Sequence, residues 1–415
     1  MNEHAAFIMN AALEGVMPEV AVGEALKKMT LPTQGRLILI AVGKAAWRMA
    51  KAARESLGNR IDGGCIITKY HHSQGELPPL EIYEAGHPVP DSNSYSSTQR
   101  AIELVTGLGE EDTVLFLLSG GGSALFEMPL IPQEEMEDIT RQLLSCGADI
   151  VEINTLRKRL SAVKGGKFAK LCQPAQVYTV LLSDVLGDPL DMIASGPTCP
   201  DSSTREQAQA IVQKYQLKLS QKALALLDQE TPKELPNGTT YVTGNVRQLC
   251  TCAAEAARSL GYRAQILTTS LACEAREAGA FLSSIARDHQ DSQESLCFLC
   301  GGETVVHLTG SGLGGRNQEI ALSAAAGIAQ CRDTCVFSFG SDGTDGPTDA
   351  AGGYADENTL FSLEEKGLRV YDVLQMNDAY HALQAVDGLI ITGPTGTNVN
   401  DLSVVLIRRE QEKRP

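Results

Sequence analysis

Apolar residues in this chain come in short, nearly unbroken runs, each followed by a polar or glycine-rich break and then by a segment with helical spacing. The run "RLILIAVGK" (36–44) leads into "AAWRMAKAARESLG". "GCIITK" and "LEIYEAG" are further short runs, "SYSSTQRAIELVTGL" is spaced as a helix, and "TVLFLLSGGGSALF" opens from a buried run into three glycines. "QEEMEDITRQLLSCG" carries acids in its first turn and Gly after its last, as the helix dipole and C-cap favour. "AQVYTVLLSD" is another strand. Continuous apolar strands alternating with helices predict a mostly parallel sheet covered on both faces.

The pattern weakens over 215–240, where one short helix precedes a loop of Pro, Asn and Gly. A domain boundary is expected there, giving domains 1–235 and 236–415. A new set follows: strand "TYVTG", helix "VRQLCTCAAEAARSLG", strand "RAQILTTS", helix "CEAREAGAFLSSIARDH" and strand "SLCFLCGGE". A hairpin-like "TVVHLTG" runs through "SGLGG" into helix "RNQEIALSAAAGIA" and strand "TCVFSFG"; two short helices, "LIITGPTGTNVN" and a last strand "LSVVLIRR" end the pattern. Both halves read as α/β, each a mostly parallel sheet flanked by helices.

Composition narrows the function. A chain of 415 residues is too long for one core, which agrees with two domains. The net charge of −16 argues against binding a nucleic-acid backbone or an anionic membrane, while a few local cations can still hold a small anion. No apolar run is long enough to span a membrane and the first residues lack a basic leader region, so a cytoplasmic protein is expected. The eleven cysteines sit mostly inside apolar runs, as reduced core thiols do. The pair Cys297 and Cys300 lies within a strand pattern and is read as core packing, as are Cys331 and Cys335.

In open α/β sheets ligands bind beyond the carboxyl ends of strands, so the residues there are the candidates. They are Gly43-Lys44, the turn Ser119-Gly120-Gly121-Gly122-Ser123, Asp184, Asp188 and Asp191, Glu303, the segment Gly314-Gly315-Arg316-Asn317 with Glu319, and "SFGSDGTDGPTDAAGG" with Asp342, Asp345 and Asp349. The triple glycine exposes backbone N–H groups as an anion cradle, or makes a tight strand-to-helix turn; it has neither the Walker spacing nor the dinucleotide fingerprint. Lys44 either snorkels to solvent or holds a phosphate, and Arg316 either grips an anion bidentately or pairs with a surface acid. Acids without interleaved His favour Mg2+ over zinc or iron. The aspartate-rich loop lacks the ligand spacing of a calcium-binding EF-hand. His87 in "GHPVPD" is read as part of a rigid turn. Basic residues on two loops, a glycine cradle and hard acids together suggest Mg2+-assisted phosphoryl transfer.

Eight ordered blocks then carry a resemblance: "AVGKAAWRMA", "GHPVPD", "LLSGGGSALFEMP", "INTLRKRLSAVKGGKFA", "LLSDVLGDPLDMIASGPT", "GGETVVHLTGSGLGGRNQEIAL", "SFGSDGTDGPTDAAGG" and "TGPTGTNVNDLSVVLI". In these the chain resembles the glycerate 2-kinases whose C-terminal part is the MOFRL domain. The resemblance implies a Rossmann-like N-terminal domain, a MOFRL-type C-terminal domain and an active site in the cleft between them. It implies transfer of phosphate from ATP to the 2-hydroxyl of D-glycerate with a divalent cation, Mg2+ or another, and Lys44 and Arg316 as the key cations. On that reading Asp184 is the catalytic carboxylate. Ser119, Gly120, Gly121, Gly122, Ser123, Gly314, Gly315, Asn317, Glu319, Asp345 and Asn398 face substrate or nucleotide. Asp188, Glu303 and Asp342 face the metal, and Asp349 caps a turn. The small-molecule partners are D-glycerate and ATP, with no nucleic acid or membrane, and the state is monomer or homodimer. Some relatives of this type carry the label hydroxypyruvate reductase; an NAD(P)H-dependent reductase is the alternative.

Overall fold

The computed structural model describes residues 1–187 and 189–409. The chain forms two compact units: Pro18–Thr243, and Met1–Met17 together with Gly244–Pro415.

The first unit holds strands β1 (Leu37–Val42), β2 (Gly63–Lys69), β3 (Leu80–Ala85), β4 (Thr113–Leu118), β5 (Gln176–Leu182) and β6 (Gly238–Gly244) in the order β3-β2-β1-β4-β5-β6. The pairs β3–β2, β2–β1, β1–β4 and β4–β5 are parallel, as the apolar runs predict. Every residue of β1 and β4 is buried, the signature of central strands covered on both faces. From β1 the chain winds outward to β2 and β3, then returns to the other side of β1 with β4. That reversal makes the β1/β4 boundary the sheet's switch point, where a crevice opens at the carboxyl ends. On one face Phe116, Phe126 and Phe168 pack with ring centres 5.0–5.6 Å apart. Helices Gln133–Ser145, Ile150–Leu160, Arg205–Tyr215 and Gln221–Leu227 bury a second apolar cluster of their own, with Ile139, Leu156 and Ile211 in it.

"TYVTG", expected to start the second domain, instead forms the edge strand β6 of this first sheet. Residues 1–17 also differ from the expected grouping, since they fold with the C-terminal unit. Helix Glu3–Glu14 buries Ala5, Ile8, Met9, Ala12 and Leu13. His4 Nδ1 lies 2.9 Å from the Tyr262 hydroxyl, and Thr397 Oγ1 donates to the Val16 carbonyl at 3.0 Å.

The second unit holds β7 (Arg263–Leu271), β8 (Leu296–Gly302), β9 (Thr334–Gly340), β10 (Gly352–Asp356), β11 (Leu389–Ile390) and β12 (Asp401–Ile407), ordered β11-β10-β9-β12-β8-β7. This sheet corrects the expectation of a mostly parallel one. Only β7–β8 is parallel; β10 runs antiparallel to β9 and β11, and β12 antiparallel to β8 and β9. The last strand is inserted between two strands that would otherwise be parallel neighbours. Its first residue, Asp401, therefore lies in register with Gly302 and Gly340, the last residues of β8 and β9. The hairpin expected at "TVVHLTG" is absent: Val305 makes one bridge to Glu274 and the rest is loop. Cys297, Cys300 and Cys335 are buried strand residues and Cys331 is buried beside them, as core thiols. No single helix among the described residues is long and apolar enough to cross a membrane.

Candidate active site

In the first unit the switch point is built from two loops laid on one another. Lys44 N donates to the Gly120 carbonyl at 2.9 Å, and Ala45 N donates to Ser119 Oγ at 3.1 Å. Gly121 has φ +89°, and a Cβ there would lie 3.1 Å from the His87 ring and 3.3 Å from Lys44 Cγ. A Cβ on Gly120 would lie 2.3 Å from Asp184 Oδ2. The glycines thus let Lys44, His87 and Asp184 close around the turn. Among the described residues no protein acceptor takes the N–H groups of Gly120, Gly121, Gly122 or Ser123. Backbone donors are nearly always satisfied, so these four are available to an anion.

The turn is held from beneath by a lysine. Lys164 is fully buried; its Nζ donates to the carbonyls of Ser123 (2.8 Å) and Phe126 (3.1 Å) and lies 3.6 Å from Glu127 Oε2. Burial pushes the Lys164 ammonium down to about 8. His87 is also pushed down, first by burial and then by the charges of Lys44, Lys69 and His72, so its imidazole tends to be neutral. In front of the turn is a cavity of about 690 Å3 that His87, Ser119–Ala124, Asp184, Asn154 and Arg157 help to line. Asp191 turns away from it to accept from Lys158 Nζ at 3.0 Å. Asp188 lies outside the described residues.

In the second unit Arg316 starts helix Arg316–Ile328. Its Nε and Nη2 donate to the two oxygens of Asp401, at 2.5 and 3.1 Å, and its Nη1 donates to Glu303 Oε1 at 2.7 Å. Burial pushes the Asp401 carboxyl up to about 6, although Arg316 pulls it the other way. Asp342 stands close: a Cβ on Gly340 would lie 3.3 Å from Asp342 Oδ1 and 3.4 Å from Asp401 Oδ1. Asp342 Oδ1 also accepts from Thr344 N at 2.9 Å. Asn398 Oδ1 accepts from Asn400 N at 3.4 Å, in the loop that enters β12.

Several expected ligand contacts are occupied by the fold itself. Asp345 is buried and accepts from Asn317 N and Gln318 N at 3.1 and 2.9 Å, so it caps the helix that carries Arg316. Asn317 is buried between Asp345 and Ser338, and Glu319 accepts from Asn377 Nδ2 at 2.9 Å with burial pushing its carboxyl up. Asp345, Asn317 and Glu319 are thus buried and engaged around the helix that carries Arg316. Gly314 and Gly315 lie in a loop strapped down by Asn377 and Asp378: Asn377 Oδ1 accepts from Thr309 N and Gly310 N, and Asp378 Oδ1 from Leu313 N. Asp349 is not a turn cap; its Oδ1 accepts from the Tyr380 hydroxyl at 2.8 Å.

Among the described residues no three His, Cys, Asp or Glu side chains gather as a metal site. That geometry still fits Mg2+, which is bound through one or two carboxylates plus substrate phosphates. Asp184, beside an anion cradle, is placed for such a role; a carboxylate there would otherwise repel a phosphate. Glu303 and Asp342 are each partly engaged, with Arg316 and with Thr344.

Reasoning from the sequence missed Asp401, His87 and Arg157. Asp401 precedes its strand, and only the antiparallel insertion of β12 brings it to the carboxyl edge. His87 was visible in "GHPVPD", and Arg157 in the helical spacing of "INTLRKRL".

Comparison with known proteins adds a matching pattern over nearly the whole chain. Residues 4–228 match the family described as a domain of unknown function, DUF4147, and residues 296–401 match the MOFRL family. A D-glycerate 2-kinase of Thermotoga maritima is 52% identical over 406 residues, covering 96% of this chain and 97% of that protein. A glycerate 2-kinase of Pyrococcus horikoshii is 41% identical, covering 90% and 88%. A putative hydroxypyruvate reductase of Agrobacterium vitis is 36% identical, covering 96% and 93%. The crystal structure of a Thermotoga maritima glycerate kinase superposes with a TM-score of 0.94, at 52% identity, over 98% of this chain and 99% of that one.

Proposed function

This chain belongs to the MOFRL-containing family of glycerate 2-kinases, and from that premise we propose that it transfers the γ-phosphoryl group of ATP to the 2-hydroxyl of D-glycerate, giving 2-phospho-D-glycerate and ADP. The observation that carries the reading is the near full-length match to a D-glycerate 2-kinase at 52% identity.

The two units supply different parts of such a reaction. The open N–H donors of Gly120–Ser123, with Lys44 beside them, suit the phosphate chain of the nucleotide. Arg316 suits the carboxylate of glycerate, because a guanidinium fork matches a carboxylate bidentately. Glu303 is half-exposed on Arg316 Nη1 and is the partner that a substrate would displace; Asp401, buried, keeps its hold on the other edge. Asp184 beside the cradle would hold Mg2+ on the phosphates or take the proton of the 2-hydroxyl. The divalent cation supplies neutralisation of charge on the phosphate oxygens. Phosphoryl transfer asks mostly for this kind of positioning and charge compensation. We place the enzyme in the cytoplasm, as a monomer or homodimer.

The test is incubation with D-glycerate, ATP and Mg2+ followed by chromatographic resolution of 2- from 3-phosphoglycerate. The 2-phosphate is expected. Absence of either phosphoglycerate with several divalent metals contradicts the reading. Loss of nicotinamide absorbance with hydroxypyruvate and no ATP would support the reductase in its place.

A further inference from the structure

The cavity of the first unit is larger than a phosphate chain needs. At about 690 Å3 it falls in the range of roughly 300–1,000 Å3 typical of pockets that take whole cofactor-sized ligands. A three-carbon hydroxy acid would fill a small part of it. Beside the glycine turn, part of the lining comes from two helices. Met136, Thr140 and Leu144 lie one turn apart along Gln133–Ser145, and Ile150, Asn154 and Arg157 along Ile150–Leu160. Leu144 and Ile150 are each 63% exposed, an apolar surface with nothing of the first unit laid over it.

Two polar groups on this wall lack full partners. Asn154 is 3% exposed; its Oδ1 accepts from Ser195 Oγ at 2.9 Å, but among the described residues its Nδ2 has only the Met192 sulfur at 3.9 Å. Arg157 is half-buried in the cavity lining, and among the described residues no carboxylate pairs with it. Its neighbours Lys158 and Arg159 are both paired to Asp201. In a chain with 51 acids and 35 bases, a partly desolvated guanidinium that pairs with no carboxylate among the described residues, in a cavity also lined by Glu127, Glu137 and Asp184, is suited to an anion that brings its own cation.

We propose that this cavity takes the entire nucleotide, with the base against Leu144, Ile150 and Met136, Asn154 Nδ2 donating to a ring nitrogen, and Arg157 gripping the phosphates. The inference rests on the kinase reading above and adds the base pocket and a phosphate-binding arginine to it.

The experiment compares the wild type with Arg157→Met and Arg157→Lys. Calorimetry with Mg2+ and the non-hydrolysable β,γ-imido analogue of ATP reads binding, and steady-state kinetics read KM for each substrate. Arg157→Met should weaken the analogue by about tenfold or more, Arg157→Lys by less, with KM for D-glycerate unchanged. Photolabelling by 8-azido-ATP should fall on peptides from the two helices, residues 133–160. Glycerate phosphorylation with unaltered analogue affinity in Arg157→Met, or label confined to other peptides, overturns the pocket alone. A wild type that binds the analogue here and makes no phosphoglycerate supports the pocket and overturns the kinase reading.

Discussion

Lys44 and Arg316 are both cations at the carboxyl edge of a sheet, yet they are kept in opposite states. Lys44 pairs with no carboxylate among the described residues and stands beside four backbone donors that no protein group accepts from. Arg316 is bound on every edge by Asp401 and Glu303. The first site offers Lys44 and open backbone donors beside the Asp184 carboxylate, and on the proposed reading takes an anion by filling it with a cation on Asp184. The second is neutralised in advance by two carboxylates, and on the proposed reading takes an anion by exchange. Exchange costs little at Glu303, because an ion pair this exposed is worth about 0–1 kcal/mol. It would cost far more at Asp401, which is buried and hydrogen-bonded twice.

The largest effects should come from removing the cations themselves. Lys44→Ala and Arg316→Ala should each lower kcat by about a hundredfold or more, on the order of 3 kcal/mol for a charge-stabilising group. A loss below about tenfold in either would strike that residue from the catalytic set. Asp401→Asn should be next, lowering kcat/KM by about ten- to a hundredfold through loss of charge-assisted hydrogen bonds to Arg316. The pH profile sharpens this. The Asp401 carboxyl takes up its proton as pH falls through about 6, so wild-type activity should decline there, and Asp401→Asn should lack that limb. A variant that keeps the same acid limb places the titration elsewhere. Gly121→Ala asks an alanine to adopt φ +89° against the His87 ring, at a cost of about 1–2 kcal/mol; KM for ATP should rise about fivefold with KM for glycerate unchanged. The smallest effect is expected from Glu303→Gln, less than about fivefold in kcat/KM. A hundredfold loss there would show that Glu303 serves a metal ion and does not simply yield to substrate.

The same contrast explains what the sequence disclosed. In the first unit strand order and strand ends are local: an apolar run, a glycine turn, then a helix. That Lys44, the Gly120–Gly122 turn and Asp184 lie at strand ends was legible because each follows its strand within two residues. In the second unit the decisive pairings are remote. β12 enters the sheet some sixty residues after β9, and antiparallel, so Asp401 reaches the site from the start of a strand. Asp345 illustrates the converse. Its place in a polar, glycine-rich loop suggested a ligand, but tertiary packing turns it under the helix of Arg316, where a buried carboxylate satisfies two backbone donors. Nothing in the local pattern around Lys164 marks it for burial, and its place beneath the glycine turn follows only from the fold.

The proposed function divides the labour: nucleotide on the Lys44 side and glycerate on the Arg316 side. Calorimetric titration of Lys44→Ala and Arg316→Ala with the imido analogue of ATP and, separately, with D-glycerate tests it most directly. Lys44→Ala should lose affinity for the analogue and retain glycerate, and Arg316→Ala should do the reverse. Equal losses of both ligands in both variants, or the opposite assignment, would contradict it.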